Sequence, residues 1–333
     1  MKNYRTYIGI DVAKLTLDYC IVKEDPQLEQ GQILNTQKSV DKFLKTLKKT
    51  GCQMNETLFV FENTGIYSSL LALVLSENSL DYAQVPALEI KRSLGITRGK
   101  SDKVDAKEIA HYAKRNTDKI ALSTLPELSL QQLKIVFAER EKTVAAIKTF
   151  ERTKENEMFL TKEVFNSVKA INNQTVKHLK KQLVMLDEKI RTLIREDENL
   201  YGQQQLLKSI PGIGDITSVY ILMATKGFTA FTSGRKFACY SGVAPFEHSS
   251  GTSIKGKTRV SHLADKKMKT LLHMASLTAI KYNPELKDYY NRKKAEGKHT
   301  MLVLNNIKCK MVYRIFAVIQ RKSNFVNLHK FAA

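Results

Sequence analysis

Four acidic residues and a serine cluster have the residue types and spacing for chemistry on a phosphodiester. "YIGID" carries Asp11 to the end of an apolar, strand-like run, and "FVFEN" does the same for Glu62. "RGKSDKVDAKEIAHYAKR" (98–115) holds Asp102 and Asp105 three residues apart at the start of a helical pattern, a spacing that shares one helix face. Carboxylates at the ends of buried strands cost desolvation unless they are paired or metal-bound. A hard divalent cation such as Mg²⁺ wants oxygen ligands and keeps several waters, so carboxylates drawn from different elements suit it. Two such ions can hold and polarise a scissile phosphate. Singly, each acid is better read as a turn residue, a helix cap or a surface charge offset by neighbouring lysines. As a set they are more persuasive, because acids ending two apolar strands and opening one helix could gather at a single metal site.

The second group lies in "FACYSGVAPFEHSSGTSIKGKTRVSH". Ser249, Ser250 and Ser253 stand among small residues and are followed by Lys255, Lys257 and Arg259. A hydroxyl attacking phosphorus needs a route for its proton and cations around the developing charge, and the basic triplet supplies the latter. A solvated loop that only touches phosphates explains the same residues. Upstream, "SIPGIGDITSVYIL" resembles a helix-hairpin-helix element, in which Gly212 and Gly214 let the backbone approach a phosphate at a helix N-terminus. A tight turn is the plainer alternative. Tyr240, Phe246, Tyr289 and Tyr290 could stack on bases, but aromatics so placed are more often core.

The elements that must position these groups follow from periodicity. Residues 7–22 alternate as strand, turn near Ala13–Lys14, strand. Helices are expected over 39–49, 66–78 and 101–115, with strands at 57–65 and 82–87 between them, which together make an α/β domain over 1–125. Residues 126–200 have no glycine, and Val176, Leu179, Leu183, Leu186, Ile190 and Leu193 repeat at steps of 3 and 4. That is a coiled-coil seam, and 126–200 reads as an antiparallel helical hairpin suited to spacing or self-association. Residues 201–333 read as a mainly helical C-terminal domain, with helices over 264–280 and 300–322. The fold class is thus α/β plus α.

Charge narrows the partners. The 333-residue chain carries 54 Lys and Arg against 33 Asp and Glu. The last 133 residues hold 22 of the cations and only 6 of the acids, the footprint of a nucleic-acid-binding surface. No run of eighteen apolar residues suggests a membrane span. Cys20, Cys52, Cys239 and Cys309 are scattered without a CxxC pair, which fits a reducing cytoplasm better than a disulfide framework or zinc site.

"YIGIDVAK", "FENTGIY" and "RGKSDKVDAKEIAHYA", followed by the helical middle, the "PGIG" turn and "SSGTSIKG", resemble the DEDD-type insertion-sequence transposases of the IS110 group. Their relatives include pilin-gene invertases and bridge-RNA-guided recombinases. The resemblance implies a RuvC-like domain of RNase H fold at 1–125. It assigns Asp11, Glu62, Asp102 and Asp105 to a site for Mg²⁺ (or Mn²⁺), and makes Ser250 the nucleophile, with Ser249 one residue away. It implies donor and target DNA and a structured bridge RNA as partners, a dimer assembling to a tetramer, and a bacterial cytoplasmic, nucleoid-associated location. The alternatives are a metal-dependent DNA junction nuclease, pilin-invertase-like DNA inversion, and a non-catalytic nucleic-acid-binding module.

Overall fold

A computed structural model describes residues 2–23, 28–93, 102–250, 254–260 and 263–327. The chain forms two compact units, Met1–Leu125 and Pro126–Ala333.

The first unit is built on a five-stranded sheet. Its elements are β1 (Thr6–Val12), β2 (Thr16–Lys23), β3 (Leu28–Leu34), α1 (Gln37–Lys49), β4 (Thr57–Glu62), α2 (Ser69–Glu77), β5 (Tyr82–Val85), α3 (Ala87–Ser93) and α4 (Asp102–Arg115). Strand order is β3-β2-β1-β4-β5. β1 pairs antiparallel with β2, β2 antiparallel with β3, and β4 parallel with both β1 and β5. This mixed order is the RNase H-like arrangement that the resemblance implies. β1 and β4 are apolar almost throughout because both are interior strands covered on two faces.

Alternation divides the sheet between two layers. Ile8, Ile10, Val12, Leu17, Phe59 and Phe61 join the apolar faces of α1 and α2 in one core. Leu58, Val60, Cys20 and Val22 lie on the opposite face, with Ile109, Ala106 and Ala110 of α4. α4 can sit close to the sheet because β1 has no side chain at Gly9. A Cβ there would stand 2.2 Å from the Ala110 nitrogen and 2.4 Å from the Ala106 oxygen. Both atoms are backbone, so neither can swing aside. Gly9→Ala is therefore expected to lift α4 and cost roughly 3 kcal/mol or more, read as a lower midpoint in urea unfolding.

Two features of this unit depart from the sequence expectation. β3, "LEQGQIL", lies at the sheet edge with mostly exposed residues and has one β-branched side chain, so the usual strand signals are missing. The helix at 87–93 is a short one, and it too lacks a clear period.

The second unit contains α5 (Leu128–Arg152), α6 (Lys162–Arg195), α7 (Glu198–Lys208), α8 (Asp215–Thr225), α9 (Gly234–Tyr240), β6 (Pro245–Ser250), β7 (Ile254–Val260), α10 (Lys266–Tyr282), α11 (Pro284–Ala295) and α12 (Thr300–Arg321). α5 and α6 run antiparallel, joined by ion pairs from Arg140 to Asp187 (2.6 Å) and from Lys180 to Glu151 (2.7 Å). The heptad residues of α6 are half-buried at 176, 179, 183 and 186 and become buried at Ile190 and Leu193. There the hairpin merges with one large core that also takes in Leu130, Leu133 and Phe137 of α5 and residues as distant as Met311 and Ile315 of α12. The base of the hairpin and the C-terminal helices therefore share a hydrophobic core. The Gly/Ser/basic stretch contains a two-stranded hairpin, β6–β7.

Candidate functional site

Asp11 is the penultimate residue of β1, and Glu62 is the last of β4. Ile10 pairs with Phe61 across these parallel strands, so the two acids follow side by side at the same end of the sheet. Alternation places both on the face opposite Ile10 and Phe61, which is the face that α4 covers. The direction of α4 follows from contacts near its C-terminus. Lys114 donates to the backbone oxygen of Lys23, which pairs with Thr6, and the Thr117 hydroxyl bonds the Tyr7 hydroxyl at 3.1 Å. The helix end thus lies at the start of β1, and α4 runs antiparallel to that strand. Its first residue, Asp102, and Asp105 one turn later fall at the end where Asp11 and Glu62 stand.

The four acids are thereby brought to one corner by three elements. Asp11, Glu62 and Asp105 are partly exposed. The Asp102 side chain lies outside the described residues. In kind the donors fit a hard divalent cation, since all four are carboxylates and they come from three elements that end at one corner of the sheet. Among the described residues, no three His, Cys, Asp or Glu side chains are gathered closely enough to hold a metal ion.

A fifth acid belongs to this corner. Asp18 on β2 pairs in register with Asp11 and is 2% exposed, on the same sheet face. Gln32 of β3 donates to both of its carboxylate oxygens, at 3.1 and 2.9 Å. Sequence reasoning misses it, although the period-2 pattern of "TLDYCIVK" already puts Asp18 opposite the apolar Leu17 and Ile21. Gly9 is likewise legible as a glycine interrupting a buried strand, a mark of close backbone approach.

Along the outer side of α4, Lys107, His111 and Arg115 recur at steps of four and line a cavity of about 470 Å³ with Val104 and Glu108. Burial first, and then the charges of Lys107, Arg115 and Lys114, push the His111 pKa down and favour its neutral form.

In the second unit, Ser250 is the last residue of β6 and pairs with Ile254, while Ser249 pairs with Lys255 and Phe246 with Arg259. The side chains of Ser249, Ser250, Lys255, Lys257 and Arg259, and all of Ser253, lie outside the described residues. The base of this hairpin is tied by Asp265. Its Oδ2 accepts from the Tyr220 and Tyr240 hydroxyls at 2.8 and 2.7 Å, and its Oδ1 accepts from the Met268 N–H at the start of α10. The Asp265 N–H bonds the Tyr240 carbonyl, which clasps the chain before β6 to the chain after β7. Burial and the bond to Asp265 push both tyrosine pKa values up.

The "PGIG" turn joins α7 to α8. Gly212 has φ of +96°, and a Cβ there would meet the Ala275 oxygen at 2.3 Å. Its lack of a side chain lets the turn seat against α10. Gly214, the N-cap of α8, has open space around it.

Comparison with known proteins gives concordant matches. A family model described as transposase, of the DEDD IS110 type, matches residues 8–156. A second, described as the transposase IS116/IS110/IS902 family, matches residues 204–291. The pilin gene-inverting protein of Moraxella bovis is 28% identical over 326 residues, covering 96% of this chain and 98% of that protein. The insertion element IS900 42 kDa protein of Mycobacterium paratuberculosis is 32% identical over 134 residues, covering 39% of this chain and 33% of that one. Thermus thermophilus RuvC in complex with a Holliday junction substrate aligns over 36% of this chain and all of that one, at 11% identity and a TM-score of 0.27.

Proposed function

We propose that this chain, matched by two IS110-type transposase models over residues 8–156 and 204–291, is such a transposase and exchanges DNA strands through a covalent intermediate on Ser250. The observation that carries the catalytic assignment is the convergence of three element ends, those of β1, β4 and α4, on one face with an acid at each. Asp11, Glu62, Asp102 and Asp105 would hold Mg²⁺ or Mn²⁺. Such an ion, when bound, lowers the charge on a phosphate and the pKa of a hydroxyl near it.

In the proposed step the Ser250 Oγ attacks the scissile phosphorus. One P–O bond forms to serine as the bond to the leaving sugar oxygen breaks, and the serine proton ends on that oxygen. Bond energy is kept in the phosphoserine, so the reverse attack by a sugar hydroxyl of another strand completes the exchange without an outside energy source. Lys255, Lys257 and Arg259, all on the strand paired to that of Ser250, supply cations for the phosphorane charge. Replacing the three by glutamine is expected to flatten the dependence of DNA affinity on salt by roughly 0.9 log unit for each phosphate no longer neutralised. An unchanged slope, measured by fluorescence anisotropy across a salt series, would remove them from the interface.

The guide is proposed to be a structured RNA from the same element, pairing with donor and target DNA. The assembly is proposed to be a dimer joining into a tetramer, because four strands must be cut. Support for an RNA lies in the charge: 22 cations against 6 acids in residues 201–333 give a strong backbone affinity without any base-reading motif. Protein purified from cells is expected to carry one defined RNA from flanking non-coding DNA, and sequencing of bound nucleic acid reads it directly. Only heterogeneous RNA would count against a guide. Similarity to a pilin gene-inverting protein over nearly the full length favours inversion as one outcome of the same chemistry. A junction nuclease acting through the acids alone is the competing reading.

No helix among the described residues is long and apolar enough to cross a membrane.

A further inference from the structure

The second unit contains a cavity of about 530 Å³ between α5, α8 and the chain around Tyr240, within the volume range of small-ligand sites. Its wall is aromatic and apolar, formed by Phe137, Tyr220, Met223 and Tyr240. Phe137 and Tyr220 lie 5.5 Å apart, centroid to centroid. Both tyrosine hydroxyls are held by Asp265, which fixes the rings and leaves their faces as what they offer. Tyr240 is further backed by Phe237 at 5.8 Å and 22°, so that ring is braced from behind.

The charged groups of the lining are unequal. Lys267 is paired with Glu141, which also pairs with Arg140. Lys134 and Lys226 take part in no ion pair among the described residues, yet both line the cavity. They stand close enough for the charge of Lys226 to add to the desolvation that pushes the Lys134 pKa down, although Lys134 itself reaches the surface and is exposed. Two ammonium groups that repel each other beside an aromatic wall are stabilised by an anion carrying a flat, stackable group. A nucleotide has both parts. An acidic aliphatic peptide lacks the flat group, and an alkyl chain lacks the charge.

We infer that this cavity receives one unpaired nucleotide of a bound strand, its base against Phe137, Tyr220 and Met223 and its phosphate between Lys134 and Lys226. The site shares no residue with the four acids or Ser250, and it does not rest on the proposed strand exchange. It sits at the root of the β6–β7 hairpin, since Tyr240 precedes that hairpin and Asp265 follows it. A strand anchored here is held at a fixed chain distance from Ser250. Base stacking on aromatic side chains is sequence-tolerant and requires an unstacked base, so single strands are selected over duplex.

The test measures affinity of the full chain for labelled homopolymeric RNA and DNA single strands and for a blunt DNA duplex. Two variants are compared with wild type. Lys134→Gln with Lys226→Gln removes the phosphate partners, and Ala138→Trp fills the cavity from α5 without changing a charge. Each is expected to weaken single-strand binding about tenfold, the scale of one stacked base, and to leave duplex binding unchanged. Whichever of RNA or DNA shows the loss identifies the strand that supplies the nucleotide. Equal loss for single strand and duplex, or no loss in either variant, overturns the inference, as does loss in the lysine variant alone. Photocrosslinking of a thio-substituted strand to wild-type protein gives a readout independent of folding. Adducts are expected on peptides carrying Phe137, Tyr220 or Met223, and adducts confined to other peptides contradict the site.

Discussion

Replacing Ser250 by alanine is expected to abolish strand exchange, by several orders of magnitude, while leaving nucleic-acid binding and thermal stability close to wild type. The size follows from the role. Loss of an attacking oxygen removes the covalent route altogether, and what remains is the uncatalysed rate helped only by binding and electrostatics. Little structural cost is expected because Ser250 is the last residue of one strand of a two-stranded hairpin. The neighbouring serine supplies the control. Adjacent positions of a strand alternate between its faces, so Ser249→Ala should retain exchange if Ser250 is the nucleophile. Reversed results for the two variants would move the assignment to Ser249. Normal cleavage by both would favour the junction nuclease, and gel assay of recombined against nicked DNA distinguishes all three.

The second large effect is expected at the acids. Asp11→Asn and Asp105→Asn should each lower strand exchange by about 10²-fold or more, the scale seen when one group that stabilises transition-state charge is removed. Stability is expected to change little. Asp11 lies in register with buried Asp18, beside Glu62 and at the end of the sheet to which α4 brings Asp105. An amide keeps the size and shape of the carboxylate it replaces, and both positions are partly exposed, so Tm is expected to stay close to wild type. Activity and stability therefore part company, which a general folding defect would not produce. Retained exchange in both variants would dismiss the acid site, and a fall in Tm matching the fall in activity would reassign these acids to structure.

Much of this corner is legible in the sequence, for a physical reason. β1 and β4 are buried on both faces, so their apolar runs are unmistakable, and an acid at the end of such a run is costly enough to stand out. α4 is marked by its period, and the α6 seam by its heptads. Groups whose role depends on long-range pairing are less legible. Asp18 looks like an ordinary polar position until β1 places it opposite Asp11 and Gln32 covers it. β3 and β6 consist largely of residues with weak strand preference and gain their ladders from a neighbouring strand, while a glycine and three basic residues interrupt the β-branched positions of β7. Gly212 reads as an approach point for phosphate, and its close neighbour is the backbone of α10. Asp265 and its two tyrosines are separated by 25 and 45 residues, and no local pattern links them.

The covalent intermediate is the central claim, and mass spectrometry of a trapped reaction tests it most directly. Wild-type protein with its co-purified RNA and a DNA substrate is quenched in denaturant, digested with protease and nuclease, and searched for a nucleotide adduct. A phosphodiester-linked nucleotide is expected on the peptide containing Ser250, absent from the Ser250→Ala protein under the same conditions. Recombined or cleaved DNA accompanied by no adduct on that peptide would contradict it.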